Sequence, residues 1–289
     1  MGVRVARTAS GTRFAVAAAF ACLTLLPAPS RAQGSDTPPP PQLSRLCEAP
    51  SADIATSAPL PRTVEKLRKG GNLRVLAIGT SGLAAGWGPG APKTYQAQIE
   101  AILEQAFKGL NVVMVNRGVS GEVAALTAER LKVQVALEKP DVVLWQVGTN
   151  DALARVPAED FERSLRETVS WLKEHSVDVI LVGLQYSPKL ATDENYAAIR
   201  GALRHAAAVE NVPLVRRYAA MEFIERGRKG EIAPIDTTDL NDLGYRCMAE
   251  HIARAMVVSA FPKAVLSPGP KAPMPDQATR RSMPSDGMR

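Results

Sequence analysis

Four polar, glycine-containing segments of this 289-residue chain carry side chains capable of chemistry. They are Gly79-Thr80-Ser81, Asn116-Arg117-Gly118-Val119-Ser120-Gly121, Gly148-Thr149-Asn150-Asp151, and a late stretch from Asp236 to Tyr245. Together they hold a serine hydroxyl, a side-chain amide, glycine backbone amides and several carboxylates. Nucleophilic acyl chemistry needs such parts: a nucleophile, a base for its proton, and donors aimed at a developing oxyanion. Taken singly, each segment also has a plainer reading. Ser81 suits a phosphate cradle or a helix cap, Gly118 a turn, and Asn150-Asp151 an ordinary helix start. The elements that carry the segments decide between these readings.

From about Leu73 to Ala260 the pattern alternates between short apolar runs and helix-period stretches. Leu73–Ile78, Asn111–Val115, Asp141–Val147, Val177–Leu184 and Val212–Val215 read as five strands. Between them lie four helices. Tyr95, Ile99, Ile102 and Leu103 share one helical face. Glu122–Glu138 ends at Pro140, Phe161, Leu165, Val169 and Leu172 recur at helical spacing, and Asn195–Val209 follows the fourth strand. A last helix starts near Gly244, with Asn241 and Asp242 placed to cap it. Strands that are apolar throughout, alternating with helices, predict a five-stranded parallel sheet covered on both faces. The fold class is α/β: a flavodoxin-like three-layer α/β/α sandwich.

In such sheets the functional crevice lies beyond the carboxyl ends of the strands. The first three polar segments follow the first three strands in turn. This constellation resembles the SGNH hydrolase family, also called GDSL-type esterases, across the whole α/β body. Ser81 matches the family's nucleophile, although Gly79-Thr80-Ser81 stands where Gly-Asp-Ser is usual. The resemblance implies that Gly118 offers its backbone N–H and Asn150 its side-chain amide to the oxyanion. The segment from Asp236 to Tyr245 looks like the family's last block, in which Asp and His stand three residues apart before Gly-Tyr.

That block departs from the family at its histidine. Asp236 matches the partner position, but Asp239 stands where the histidine is expected. His175, His205 and His251 all lie outside the motif, each in or beside a predicted helix. A carboxylate with a reference pKa near 3.9 has little drive to accept a serine proton. A second carboxylate at Asp236 would raise one of the two pKa values and partly offset the mismatch. The resemblance thus implies a small acyl ester, on carbohydrate or lipid, hydrolysed weakly by Ser81 with Asp236 and Asp239 as substitute base. The competing reading is an inactive protein that keeps the crevice to bind an acylated sugar or an envelope partner. Gln185 and Tyr186, at the fourth strand's end, are candidate substrate contacts.

Other chemistries fit less well. Gly79–Gly90 lacks both the phosphate-loop and the dinucleotide fingerprints. Asp236, Asp239 and Asp242 lack the glycine and distal glutamate of a calcium loop. No cofactor and no metal are expected. The net charge of +6 suggests nucleic acid until its distribution is read. Residues 33–261 carry 26 basic against 27 acidic side chains, so no nucleic-acid footprint remains. No apolar run in the body approaches the ~18 residues of a membrane span.

The ends differ from the middle. Residues 1–32 read as a cleavable signal peptide, with three arginines before the apolar stretch Phe14–Leu26 and a small-residue site at Ser30-Arg31-Ala32. An uncleaved anchor, or a lipidated Cys22, are the alternatives. Export to the periplasm or beyond is the expectation. Residues 33–72 form a Pro-rich linker and arm, 73–261 the hydrolase-like domain, and 262–289 a Pro-rich tail expected to be disordered. Export would place Cys47 and Cys247 where disulfides persist. A bridge would tie the arm to the last helix, and two separate thiols are the alternative.

Overall fold

The computed structural model describes residues 38–79, 95–227 and 242–261. The expected signal peptide, the loop after Gly79 and the Pro-rich tail lie outside the described residues. So do Ser81, Asp236 and Asp239.

Five strands run parallel: β2 (Gly71–Gly79), β3 (Leu110–Gly118), β4 (Val142–Gln146), β5 (Asp178–Val182) and β6 (Leu214–Val215). Each lies within or across one of the five apolar runs. A sixth strand amends the expectation of five. Ala55–Thr56, here β1, pairs antiparallel with Leu214–Val215 at the sheet edge. Two residues carry no readable period, and their strand state depends on the distant partner. The order is β1-β6-β5-β4-β2-β3. After β1 at one edge the chain moves mid-sheet to β2, steps to β3 at the other edge, and then returns past β2 to β4. The resulting switch point lies between β2 and β4, where open α/β sheets place their ligands.

Every residue of β4 and β5 is buried. Successive side chains therefore serve opposite layers. Leu73, Val75, Ala77, Val142, Leu144, Ile180 and Val182 join one core, with α3 (Tyr95–Ala106) and α9 (Asp242–Ala260). Leu76, Ile78, Val143, Trp145, Val179 and Leu181 face the other, covered by α4 (Ala124–Glu138), α6 (Ala158–Glu174) and α7 (Glu194–Val209). Phe161, Leu165, Val169 and Leu172 are all buried on α6, as their spacing predicts.

The opposite end of the sheet is closed by carboxylates. Asp178, at the start of β5, accepts from the Thr63 amide at 2.7 Å, its hydroxyl at 2.8 Å and the Arg62 amide at 3.1 Å. It thereby caps α2 (Pro61–Lys69), whose own preceding residue, Leu60, has no capping group. Asp141 takes Arg62 Nε at 3.0 Å, Lys66 Nζ at 3.3 Å and the Arg74 amide at 3.0 Å. Two acids from the sheet thus fix one helix of the arm.

The arm is tied down again further along. Cys47 and Cys247 form a disulfide with Cα atoms 4.9 Å apart, joining the arm to α9. His251, one turn beyond Cys247, is 1% exposed and donates from Nε2 to the Cys47 carbonyl at 2.8 Å. Burial holds this imidazole well below its ordinary value, at about 4.

Closing a loop of 200 residues constrains the unfolded chain strongly. Replacing Cys47 and Cys247 by serine should cost about 2–5 kcal/mol of stability, read from urea midpoints with reductant as a matching control. His251 makes a separate contribution. It is neutral when folded but takes a proton below about pH 6.5 when unfolded, so its stabilisation is full above that pH. It is lost as pH falls from 6.5 toward 4, a change of about 3 kcal/mol. The stability difference between wild type and His251→Gln should therefore shrink across that window, and a constant difference would refute the assignment.

Candidate functional site

The carboxyl ends of β2, β3 and β4 lie side by side. Gly79 is in register with Gly118 on one side and with Gln146 on the other. A Cβ at Gly79 would stand 1.9 Å from the Gln146 carbonyl oxygen, and φ there is +111°. Only glycine lets β2 leave the sheet so close to β4. Ser81, two residues on in the sequence, lies outside the described residues.

The loop after β3 begins with an internal bond. The Gly118 N–H, expected to face the oxyanion, donates to Asn116 Oδ1 at 2.8 Å. It would have to exchange that acceptor for substrate. Farther along, Gly121 sits at φ +75°. Beyond it come Glu122 and the first turn of α4.

The loop after β4 meets this turn directly. Asn150 Nδ2 donates to the Glu122 carbonyl at 2.9 Å. That bond orients the amide with one N–H and leaves the geometry of the second N–H set by the same plane. Asp151 then locks the two loops together. Its Oδ1 accepts from the Ala124 amide at 2.8 Å and its Oδ2 from the Gly148 amide at 3.2 Å. The carboxylate so serves the N-termini of α4 and of the short helix α5 (Thr149–Leu153). Burial raises the Asp151 pKa, and the backbone hydrogen bonds offset only part of that effect.

Sequence reading singled out Asn150 and Gly118 as candidates but not what couples their loops. Asn150 is bonded beside Gly121, and Asp151 carries the join. The signal was present in Glu122-Val123-Ala124 only as a helix start, with nothing to indicate a partner 27 residues away.

The loop after β5 is packed into the same region. The Gln185 amide donates to Thr149 Oγ1 at 3.1 Å, and its carbonyl accepts from the Tyr196 hydroxyl. Its side-chain Oε1 accepts from Arg217 Nη2 at 2.7 Å. The Gln185 side chain is thus turned to a buried arginine at the start of α8 (Arg217–Gly227). Tyr186 is half-buried, with its ring edge-on to Tyr218 at 5.3 Å between centroids. Gly148 at φ +102° makes room for Leu184, whose Cδ1 would lie 2.6 Å from a Cβ there.

All three histidines have other places. His175 closes α6, its Nδ1 2.7 Å from the Trp171 carbonyl. His205 is exposed on α7 beside Glu162 at 2.7 Å. His251 is committed to the Cys47 carbonyl. Among the described residues, no group of three or more His, Cys, Asp or Glu side chains could hold a metal ion. No helix among them is long and apolar enough to cross a membrane.

The model of the Non-GDSL lipase-like family matches residues 46–261, which spans all three strand-end loops and the disulfide. The chain belongs to that family. Membership takes in the arm from just before Cys47, in keeping with its place in the core. An arylesterase of Vibrio mimicus is 27% identical over 116 residues, 40% of this chain and 56% of the relative. The chain spans little more than half the length of the curated relatives it matches. A two-domain esterase active on acetylated mannans superimposes with a TM-score of 0.60 at 18% identity, over 79% of this chain and 61% of that one. A catalytic mutant of an acetylxylan esterase from Geobacillus stearothermophilus gives 0.55 at 22% identity, over 65% and 95% respectively. At these identities the likeness shows that the chain shares its α/β fold with both.

The close approach at Gly79 supplies a direct test of the site's frame. Gly79→Ala must displace either β2 or β4, and it also strains a positive φ. A loss of about 3 kcal/mol or more is expected, measured by chemical denaturation. A change below 1 kcal/mol would mean that the strand ends are not held in this register.

Proposed function

We propose that this protein is an exported ester hydrolase of the SGNH type, acting on a small acyl ester with Ser81 as nucleophile. The observation that carries the reading is the convergence at the switch point: Gly79, the Gly118–Gly121 turn and the Gly148–Asp151 loop in adjacent register. Asn150 is held there by a fixed bond to Glu122. An amide clamped in this way is preorganised, which is what stabilising a transient oxyanion requires.

In the proposed reaction Ser81 Oγ attacks the ester carbonyl and its proton passes to the Asp236–Asp239 pair. The carbonyl oxygen gains negative charge and is met by the Asn150 amide and a backbone N–H of the 118–121 turn. The Gly118 amide, bonded to Asn116 Oδ1, would exchange that acceptor for the oxyanion. Collapse expels the alcohol, which takes up the proton. Water then repeats the sequence on the acyl-serine.

A second reading is favoured by the histidines, each engaged away from the crevice. A site without an imidazole base suits a protein that binds acylated glycan without turning it over. Residual catalysis of about 10³–10⁴ over water is what such sites keep when a triad member is lost.

Hydrolysis of an activated acetyl ester by residues 33–289 separates the two. The hydrolase reading expects turnover that Ser81→Ala abolishes and Asn150→Ala lowers by about 10²–10³ in kcat. Asp239→His should raise the rate. An inert wild-type protein that gains activity from Asp239→His would instead favour the binding reading. Turnover unaffected by Ser81→Ala would overturn the mechanism.

A further inference from the structure

A cavity of about 260 Å³ opens at the same carboxyl edge of the sheet, beyond β5 and β6. Gly183 and Leu184, just beyond β5, and Leu214 of β6 are among its lining. Arg200, Arg204, Arg216 and Arg217 line it, against two acids, Asp53 and Glu222. Glu222 is already matched by Arg226 at 2.9 Å. Among the described residues, Arg200 and Arg204 make no ion pair with a carboxylate. Arg200 and Arg204 therefore bring guanidinium charge to a concave site.

The arginines are held rather than loose. Arg217 is 2% exposed and donates to Gln185 Oε1 at 2.7 Å. Arg200 lies over the Tyr218 ring, 3.9 Å from its centroid, a stacking geometry that fixes the plane of the guanidinium. Arg216 is bonded to the Ala52 carbonyl of the arm. The first turn of α8 also faces the cavity at Tyr218 and Ala219, adding the positive end of an 11-residue helix.

We propose that this cavity is a specificity subsite for a carboxylate carried by the acylated substrate, so that the ester acted on belongs to an acidic glycan. The inference deepens the hydrolase reading and rests on it for the position of the ester. Planar, preset guanidiniums suit a carboxylate, which they can grip through two parallel hydrogen bonds. A fatty acyl chain would require an apolar channel, and four arginines are the opposite of that. The cavity's lining packs against the loops of the crevice. Leu184 touches the Gly148 position on one side and lines the cavity on the other. Gln185 bonds Thr149, next to Asn150, and also Arg217. The Tyr186 ring meets Tyr218, which carries Arg200. Strands are spaced by about 4.8 Å, so the cavity lies only about two strand widths from β4. On this proposal one polysaccharide chain spans that distance.

The test uses oligogalacturonate as probe, with its methyl ester and inorganic sulfate as controls, titrated calorimetrically into wild type and Arg200→Gln/Arg204→Gln. Both positions are exposed or half-exposed, and a retained melting temperature shows that the variant folds. The proposal expects oligogalacturonate to bind at low salt, the methyl ester to bind at least tenfold more weakly, and the variant to lose at least tenfold. Sulfate binding as tightly as the oligosaccharide would mean a free-anion site and overturn it. Binding unaffected by methylation or by the arginine change would overturn it too. Turnover of acetylated acidic and neutral oligosaccharides, measured on wild type and Ser81→Ala beside the titration, separates the two readings. Carboxylate-dependent binding without any esterase activity would sink the hydrolase and leave the subsite. Ser81-dependent hydrolysis with equal kcat/KM on neutral and acidic acetyl glycans would do the reverse.

Discussion

Asp151 gives both carboxylate oxygens to backbone amides, one at the start of α4 and one at the turn into α5. Both amides belong to the set that an α-helix cannot satisfy internally. An unpaired buried amide costs about 1–3 kcal/mol, so the join is strongly enforced. Everything distinctive about the crevice follows from it. Asn150 is the neighbour of Asp151, and Glu122 stands two residues before Ala124. Once the carboxylate is seated, the amide of Asn150 meets the Glu122 carbonyl without further ordering. Burial raises the proton affinity of the acid, and the two amide donors hold against that tendency.

The rest of the sheet supplies a frame for this join. β2 and β4 approach so closely at Gly79 that no side chain fits between them. Far from the crevice, Asp178 and Asp141 fasten α2 beneath the strands. The sandwich therefore has charged or polar clamps at both ends and two apolar layers between. The cores need no special fit to assemble, since both faces of β4 and β5 are buried. The clamps determine which way the loops point.

Legibility in the sequence followed the physical range of each interaction. β4 and β5 were readable because a strand buried on both faces is apolar nearly throughout, and β2 and the edge strand β3 from the apolar runs at their centres. The helices α6 and α7 were readable from spacing alone. α8 was not, because Arg217 and Glu225 are buried within it and interrupt the apolar stripe of Tyr218, Met221 and Ile224. β1 has two residues and exists only through Leu214 and Val215. The capping of α2 by Asp178 spans 115 residues and leaves no local mark. At the site, residue types were legible and hydrogen-bond partners were not. The sequence pattern points to Gly118 as a donor, yet Asn116 two residues earlier takes its N–H. An Asn-x-Gly triplet that folds back on itself can be recognised only once the turn is formed.

The arm also has a part in how separate molecules behave toward one another. β1 pairs along the outer side of β6, where the sheet would otherwise end in unpaired N–H and C=O groups. Open strand edges are templates for association between copies. The Cys47–Cys247 bridge and the Asp178 cap hold the arm from both sides of β1, so this cover cannot easily lift. A chain trimmed to begin at residue 73 would keep the strand-end loops around Asn150 but bare that edge. Its first failing would then be self-association through β6, a colloidal defect rather than a chemical one.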